Sequence, residues 1–150
     1  AYTVSAHVPL GAAVGATPDG RRDGEQLADG GLSPMVGRDK LGPTAILKSV
    51  SKLDNYLTSN GSLLNVKFSP KTLEGDEGVN KMVDYLLAFM KLKLQHIQFN
   101  VVSADTLKEA QKYPENYKGL VVRVAGYSAF FVELSTEIQD DIIARTEHLL

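Results

Sequence analysis

The chain has 150 residues, of which 43% are hydrophobic and 23% are charged, and its formal net charge is −2. These proportions are close to those of ordinary globular domains, so disorder or a fibrous repeat is not indicated, and the weak negative charge argues against a nucleic-acid partner. The sequence contains no cysteine, which excludes disulfides and cysteine-ligated clusters. No apolar run reaches the roughly 18 residues that cross a bilayer. We therefore expect a cytoplasmic protein without a membrane partner.

The first elements are predicted to be a strand and a long connection. Residues 2–14 are rich in Val, Ala and Leu, which favours a strand buried on both faces, as in a closed α/β barrel. Residues 21–40 contain many glycines without a sustained period, and we interpret them as a long ordered connection.

A helix and a second strand should follow. Residues 44–55 have the apolar spacing of a one-sided helix. Residues 62–68 lie between an Asn-Gly turn and a Ser-Pro stop, which predicts a strand. The apolar stripe of the helix is expected at Ile46, Leu47, Val50 and Leu53.

The second half continues the alternation of helices and strands. Residues 79–92 predict the longest helix, and apolar residues cover more than half of its circumference, so we expect it to be deeply packed. Residues 96–102 predict a strand and residues 105–112 a short helix. Strands that alternate with helices indicate an α/β fold.

The C-terminal elements are predicted to be a hairpin and a helix. Two apolar runs, residues 120–124 and 129–132, flank a short turn that contains Gly126. The final helix should begin with a capping box at residues 136–139. Its buried stripe is expected at Ile138, Ile142 and Ile143.

Gly126 is the candidate site residue. Loss of a hydrogen atom from a backbone Cα leaves a carbon radical that is stabilised only when it becomes planar and conjugates with the amides on both sides. A Cβ would clash with that planar arrangement, and glycine has none. An ordinary turn glycine between two strands would have the same local sequence, so the hairpin alone leaves both interpretations open.

The sequence around Gly126 resembles the radical-bearing loop of the glycyl radical enzymes, the pyruvate formate-lyase family. The matching loop is Arg123-Val124-Ala125-Gly126-Tyr127-Ser128-Ala129-Phe130. The resemblance continues in the same order along nearly the whole chain. Its other segments are residues 15–21, Asp29-Gly30, Ser33-Pro34, residues 37–40, 42–45, 96–102, 105–107, Ala110-Gln111, residues 114–117 and 139–147.

The resemblance implies that the chain is the C-terminal part of a ten-stranded α/β barrel. Residues 1–70 would provide a barrel strand, the glycine-rich connection, a helix and a strand, and residues 71–150 would form the glycyl radical domain. The radical would reside on Gly126, with no cofactor or metal bound by this chain. A homo-oligomer of the full enzyme is expected.

Two partners are implied by the same resemblance. An activating enzyme with an iron–sulfur cluster and S-adenosylmethionine would remove one hydrogen from Gly126. The radical would then act on a Cys in an N-terminal portion or companion chain, and the resulting thiyl radical would attack a small-molecule substrate. Because this chain has no Cys, it is expected to be catalytically incomplete alone.

The residues beside Gly126 resemble the eliminating branch of the family, which contains dehydratases and C–N, C–S or C–C lyases. Ala125 precedes Gly126, whereas the pyruvate formate-lyase branch typically has a serine there. Three alternatives stay open. The chain could be a spare-part protein that repairs an oxygen-cleaved radical enzyme, a formate acetyltransferase-type member, or a non-enzymatic α/β domain that kept the scaffold.

Three residues outside the loop are candidates for polar contacts. His7 lies on the predicted first strand, which the resemblance places along the substrate cavity, and it could bind a substrate hydroxyl or carboxylate. A satisfied residue of the cavity wall is the alternative. His96 and Gln98 should lie on one face of a strand, where we expect structural hydrogen bonds to satisfy them.

The neighbours of Gly126 are expected to support the loop. Arg123 would form a structural ion pair or contact the activating enzyme. Tyr127 and Ser128 would close the loop by hydrogen bonds. The apolar flanks would keep oxygen and water away from Gly126.

Overall fold

The computed structural model describes residues 5–150 and shows a parallel sheet, a separate antiparallel hairpin and surrounding helices. This arrangement confirms the predicted α/β class. The helices are α1 (His7–Ala12), α2 (Pro43–Val50), α3 (Gly75–Lys91), α4 (Ala104–Lys112) and α5 (Thr136–Ala144). The strands are β1 (Asn65–Phe68), β2 (Gln98–Val101), β3 (Val121–Arg123), β4 (Ser128–Phe130) and β5 (Glu147–His148).

The parallel sheet has the order β2-β1-β5. In its register Asn65 is opposite Gln98 and Lys67 is opposite Asn100. Because side chains alternate between the two sides of a strand, each face of β1 and β2 carries one class of residue. The polar face consists of Asn65, Lys67, Gln98 and Asn100, and the apolar face consists of Val66, Phe68, Phe99 and Val101.

The apolar face packs against α2 and α3. The Phe68 ring lies edge-on to the Tyr85 ring, with centroids 5.5 Å apart, and 5.7 Å from the Phe99 ring. The buried residues of this first core are Ile46, Leu47, Val50, Leu64, Val66, Phe68, Tyr85 and Leu94. Hydrophobic burial on this side anchors the sheet.

A second core lies between α4, α5 and the hairpin. Its buried residues are Val102, Leu107, Ala110, Val122, Val124, Phe131 and Ile142. Val122 and Val124 belong to the first arm of the hairpin, so this core fixes the base of the Gly126 turn.

The predicted strand at residues 2–14 is wrong for its described part, because His7–Ala12 is helical. Residues 1–4 lie outside the described residues. Pro9 lies in the first turn of α1, where a missing N–H costs nothing. Gly11 packs on the connection, since an added Cβ would lie 2.5 Å from Gln26 Cα. A short apolar run of this kind cannot be assigned to strand or helix by periodicity alone.

Helix α2 is confirmed, but it ends earlier than predicted. It begins at Pro43, a favourable first helical position, and ends at Val50 rather than near Asn55. The Asn55 side-chain amide donates to the carbonyls of Val50 (3.3 Å) and Leu53 (3.0 Å). Leu53 is exposed and does not join the predicted stripe.

Helix α3 is longer than predicted, and its expected deep packing is wrong. Only Gly78 and Tyr85 are buried in it, because the first core covers a single side of the helix. Its exposed apolar residues are Val79, Val83, Leu86, Leu87 and Met90.

The C-terminal elements also differ in detail from the prediction. The second arm of the hairpin ends at Phe130, and Phe131–Glu133 forms a 3-10 turn. The predicted capping box is wrong, because Ser135 precedes α5 and the Gln139 side chain instead donates to the Phe131 carbonyl at 2.9 Å. Ile142 is fully buried, whereas Ile138 and Ile143 are partly buried.

The predicted boundary at residue 70 falls directly after β1 and stays a prediction. Within residues 5–150, no helix is long and apolar enough to cross a membrane.

Candidate active site around Gly126

The Gly126 turn is a two-residue loop between the arms of the hairpin. The Val124 N–H donates to the Tyr127 carbonyl at 2.9 Å, which leaves Ala125 and Gly126 as the loop residues. Gly126 has a φ of +81°, in the left-handed region that favours glycine. An added Cβ would also lie 2.8 Å from Leu63 Cδ1. Both the backbone conformation and this close contact therefore favour glycine.

The turn is buried at its base and open at its tip. Val124 and Ala125 are buried, whereas Gly126 and Tyr127 are exposed. The apolar flanks do not cover Gly126 within residues 5–150, and the expected exclusion of oxygen and water stays a prediction. Val122 and Val124 point into the second core, and the tip lies beyond it.

Asn100 holds the hairpin from the polar face of the sheet. Its Oδ1 accepts from the Arg123 N–H at 2.8 Å, and its Nδ2 donates to the Arg123 carbonyl at 2.8 Å. The side-chain amide thus pairs with both main-chain groups of Arg123, as a neighbouring strand would.

Asn65 makes a second contact one residue closer to Gly126. Its Nδ2 donates to the Val124 carbonyl at 3.2 Å and to Asp29 Oδ2 at 2.9 Å. The Asn65 N–H donates to the Ser33 hydroxyl at 2.9 Å. The glycine-rich connection therefore positions the residue that holds the turn.

Lys67 lies on the same polar face and binds the end of α5. Its Nζ donates to the carbonyls of Ile142 (3.3 Å) and Ile143 (3.0 Å). These carbonyls belong to the last turn of the helix, where a cation is favourable. Burial nevertheless lowers the pKa of Lys67 to about 8.

An ion-pair network surrounds Arg145 beneath the hairpin. Its guanidinium contacts Asp29 at 2.9 Å and Asp141 at 2.7 Å, and it donates to the Arg123 carbonyl at 3.4 Å. Burial raises the pKa of Asp141, but the hydrogen bond from His7 and the charge of Arg145 outweigh burial and hold that pKa below its ordinary value. The network therefore joins residues 7 and 29 to residues 123, 141 and 145.

His7 belongs to this network. It is 1% exposed, and its Nε2 lies 2.9 Å from Asp141 Oδ2. A cavity of about 30 Å³ lies beside Asp141, and His7 is not among its lining residues. That volume is far below the roughly 300 Å³ of a typical ligand site. Asp141 provides a partner for the Nε2 of His7, whereas its Nδ1 is buried without a partner within residues 5–150. A substrate contact by His7 stays a prediction.

Arg123, Tyr127 and Ser128 also take part in the hairpin. The Arg123 guanidinium donates to the Ser128 hydroxyl at 2.9 Å, on the outer side of the strands. Tyr127 contributes its carbonyl to the turn rather than its phenol. Arg123 forms no ion pair with the described residues.

The expected hydrogen bonds of His96 and Gln98 are found for His96 only. The His96 Nδ1 accepts from the Leu64 N–H at 3.5 Å, and burial together with the charge of Arg123 lowers the pKa of His96. Gln98 is buried, and neither atom of its side-chain amide has a partner within residues 5–150.

Sequence reasoning missed several residues that build the site. These residues are Asp29, Asn65, Asn100, Asp141 and Arg145. The alternation of polar and apolar residues along β1 and β2 was the available signal. Across residues 5–150, no group of His, Cys, Asp and Glu side chains is arranged to hold a metal ion.

Comparison with known proteins places this geometry in a family. The family model described as "Glycine radical" matches residues 28–132, which include the turn. Isethionate sulfite-lyase from Bilophila wadsworthia is 53% identical over 96% of this chain and 18% of that relative.

Two solved structures resemble the fold. The glycerol dehydratase of Clostridium butyricum has a TM-score of 0.92 and 51% identity, over 96% of this chain and 18% of that one. A structure described for 1,2-propanediol dehydration in Roseburia inulinivorans has a TM-score of 0.93 and 50% sequence identity, over 98% of this chain and 18% of the matched chain. The chain therefore spans about a fifth of the length of these relatives. With a family match over most of its residues, it belongs to the glycine radical family.

Proposed function

We propose that this chain carries a glycyl radical on Gly126 and is the C-terminal, radical-bearing portion of a radical lyase. The observation that carries the proposal is the position of Gly126, a positive-φ glycine at the open tip of an anchored hairpin. Gly126 is exposed within residues 5–150, while Asn65 and Asn100 hold the arms of the hairpin in place.

The proposed chemistry consists of two hydrogen-atom transfers. An activating enzyme with an iron–sulfur cluster and S-adenosylmethionine takes one hydrogen atom from Gly126 Cα, which leaves one unpaired electron there. Gly126 then takes a hydrogen atom from a Cys thiol outside this chain, which restores the C–H bond and leaves a thiyl radical. This chain supplies the radical carbon and its positioning, and the thiol comes from elsewhere because the sequence has no Cys.

The eliminating branch is the proposed reaction class. Its support comes from the relatives at 50% identity or more, which are named a sulfite-lyase, a glycerol dehydratase and a protein of propanediol dehydration. We therefore propose a small-molecule substrate that loses a leaving group, rather than the acyl transfer of a formate acetyltransferase. A homo-oligomeric full enzyme and a cytoplasmic location stay predictions.

Electron paramagnetic resonance tests the radical directly. After anaerobic incubation of the enzyme with its activating partner, we expect a doublet from one Cα hydrogen, and the doublet should be absent in Gly126→Ala. Gly119→Ala is the matched control, because Gly119 precedes the same hairpin and an added Cβ there meets nothing within 4 Å. A wild-type protein that never yields a paramagnetic species, or a doublet that survives Gly126→Ala, would contradict the proposal.

Co-purification distinguishes the full-enzyme portion from a spare part. A covalently linked or companion polypeptide that carries a Cys with a Glu two residues later would support the lyase portion. Rescue of an oxygen-cleaved lyase by the isolated chain would support the spare part instead. The likeness over 96% of the chain to a lyase favours the first outcome.

A further inference from the structure

Gln98 is a buried amide without a hydrogen-bond partner. Gln98 is 6% exposed, and its side-chain atoms Oε1 and Nε2 are both buried without a partner within residues 5–150. A buried amide left unpaired is costly, so native proteins almost always provide a partner for it. The donor and the acceptor of Gln98 therefore both require a complement.

The position of Gln98 on the polar face points to the Gly126 turn. Asn65, directly opposite Gln98 in the sheet register, binds the Val124 carbonyl. Asn100, two residues further along β2, binds both main-chain groups of Arg123. Leu63, two residues before Asn65, lies against Gly126. The neighbours of Gln98 thus contact the main chain at residues 123, 124 and 126.

The turn itself contains main-chain groups that lack partners. No hydrogen bond within residues 5–150 involves the main-chain N–H or carbonyl of Ala125 or Gly126. Ala125 is 2% exposed, so solvent does not readily satisfy its groups. A glutamine amide can accept one N–H through Oε1 and donate to one carbonyl through Nε2. Asn100 already binds Arg123 in this way.

We propose that Gln98 is a positioning residue for the radical turn. In the assembled enzyme its Oε1 accepts a main-chain N–H of Ala125 or Gly126, and its Nε2 donates to a carbonyl of the same turn. A bond to the Gly126 N–H or to the Ala125 carbonyl fixes the plane of the peptide before Gly126, and a bond to the Gly126 carbonyl fixes the plane of the peptide after it. Since a radical at Gly126 is stabilised by conjugation with those peptides, Gln98 determines how much radical is formed and retained. The inference rests on the proposed radical function.

The test uses the full enzyme with its activating enzyme under anaerobic conditions. Gln98→Met keeps the volume of the side chain but removes both hydrogen-bonding groups. We expect the spin per folded chain to fall about three- to ten-fold, the change that one ordinary hydrogen bond produces, and the doublet to broaden. Gln98→Asn retains the amide on a shorter side chain and should recover part of the signal.

Gln139→Met is the matched control. Gln139 is also a buried glutamine, but its amide donates to the Phe131 carbonyl, away from the turn tip. Loss of that bond should lower the thermal stability while the spin per folded chain stays at the wild-type value. Gln98→Met should instead lower the spin per folded chain, whatever its effect on the thermal stability, because its proposed partners belong to the radical turn.

The results for the wild-type enzyme and for Gln98→Met separate the role of Gln98 from the proposed radical function. Wild-type spin and an unchanged doublet in Gln98→Met would overturn the role of Gln98 while leaving the radical on Gly126 intact. A wild-type enzyme without any doublet would instead refute the proposed function.

If Gln98→Met does not fold, amide hydrogen exchange in the wild-type enzyme tests the role of Gln98. Rapid exchange of both Ala125 and Gly126 amides would overturn the proposal, and protection of one of them would support it.

Discussion

Both faces of the parallel sheet are covered by other elements, but they make different contacts. On the apolar face, Phe68 packs against Tyr85 and Phe99 in the first core. On the polar face, Asn65 and Asn100 bind the main chain of the hairpin instead of hydrophobic side chains. Burial of amides costs free energy unless each is hydrogen-bonded, so the polar face contributes less to stability than the apolar face. What it contributes is a fixed position for the Gly126 turn.

The largest expected effect is on the apolar face. Phe68→Ala removes a fully buried ring from the first core and should lower the free energy of unfolding by about 3–5 kcal/mol. Urea denaturation followed by circular dichroism measures the change. Phe130→Ala is the control, because Phe130 is a half-exposed residue of the hairpin and should lose far less. Equal losses in the two variants would contradict the assignment of the main core to this face.

The next effect concerns the charge buried on the polar face. Burial lowers the pKa of Lys67 from 10.5 to about 8. Between these values the unfolded chain keeps a proton that the folded chain has released, so the free energy of unfolding should rise with pH across this window. The full rise is on the order of 3 kcal/mol.

Denaturation curves at several pH values from 8 to 10.5 measure this contribution of Lys67. Lys67→Met lacks the titrating group and should remove that part of the pH dependence. Lys48→Met is a suitable control, because Lys48 is an exposed lysine on α2. If wild type and Lys67→Met have the same slope, the charge of Lys67 is not buried in the way the structure indicates.

Asn100 provides a sharper test of the polar face. Asn100→Ala leaves the Arg123 N–H and carbonyl without their main partner, which should cost about 2 kcal/mol. The loss should be local, so hydrogen exchange at the Arg123 amide should accelerate more than exchange in β1. Asn116→Ala changes an exposed asparagine and should alter neither quantity. Uniform acceleration across the sheet would show that Asn100 supports the core rather than the hairpin.

Local sequence patterns predicted most elements of the fold. The stripe of Ile46, Leu47 and Val50 located α2, because a helical period reports which side is buried. The same reasoning failed for α1, where six residues are too few to distinguish a helix from a strand. The same reasoning overestimated how deeply α3 is packed. An apolar helix face shows that the helix needs a packing partner, but it does not show whether this chain supplies that partner.

The site was predictable at Gly126 and much less so around it. The turn glycine follows from its flanking strands and from the resemblance to the family. Asn65 and Asn100 alternate with apolar residues, a pattern that ordinarily indicates a solvent-exposed polar face. Here α5 and the hairpin cover that face, and the partners of the two asparagines lie 59 and 23 residues away. The alternation marks the two asparagines, but it does not show which distant main-chain groups they bind.

The smallest expected effect is on the outer side of the hairpin. The Ser128 hydroxyl accepts from the Arg123 guanidinium, but this pair is exposed to solvent, which competes for both groups. Ser128→Ala should therefore change the free energy of unfolding by less than about 0.5 kcal/mol and leave exchange at the Arg123 amide unaltered. A loss as large as that of Asn100→Ala would mean that the hairpin is held by its own outer side chains. The polar face of the sheet would then not fix the position of the turn, and the proposed positioning role of Gln98 would lose its structural basis.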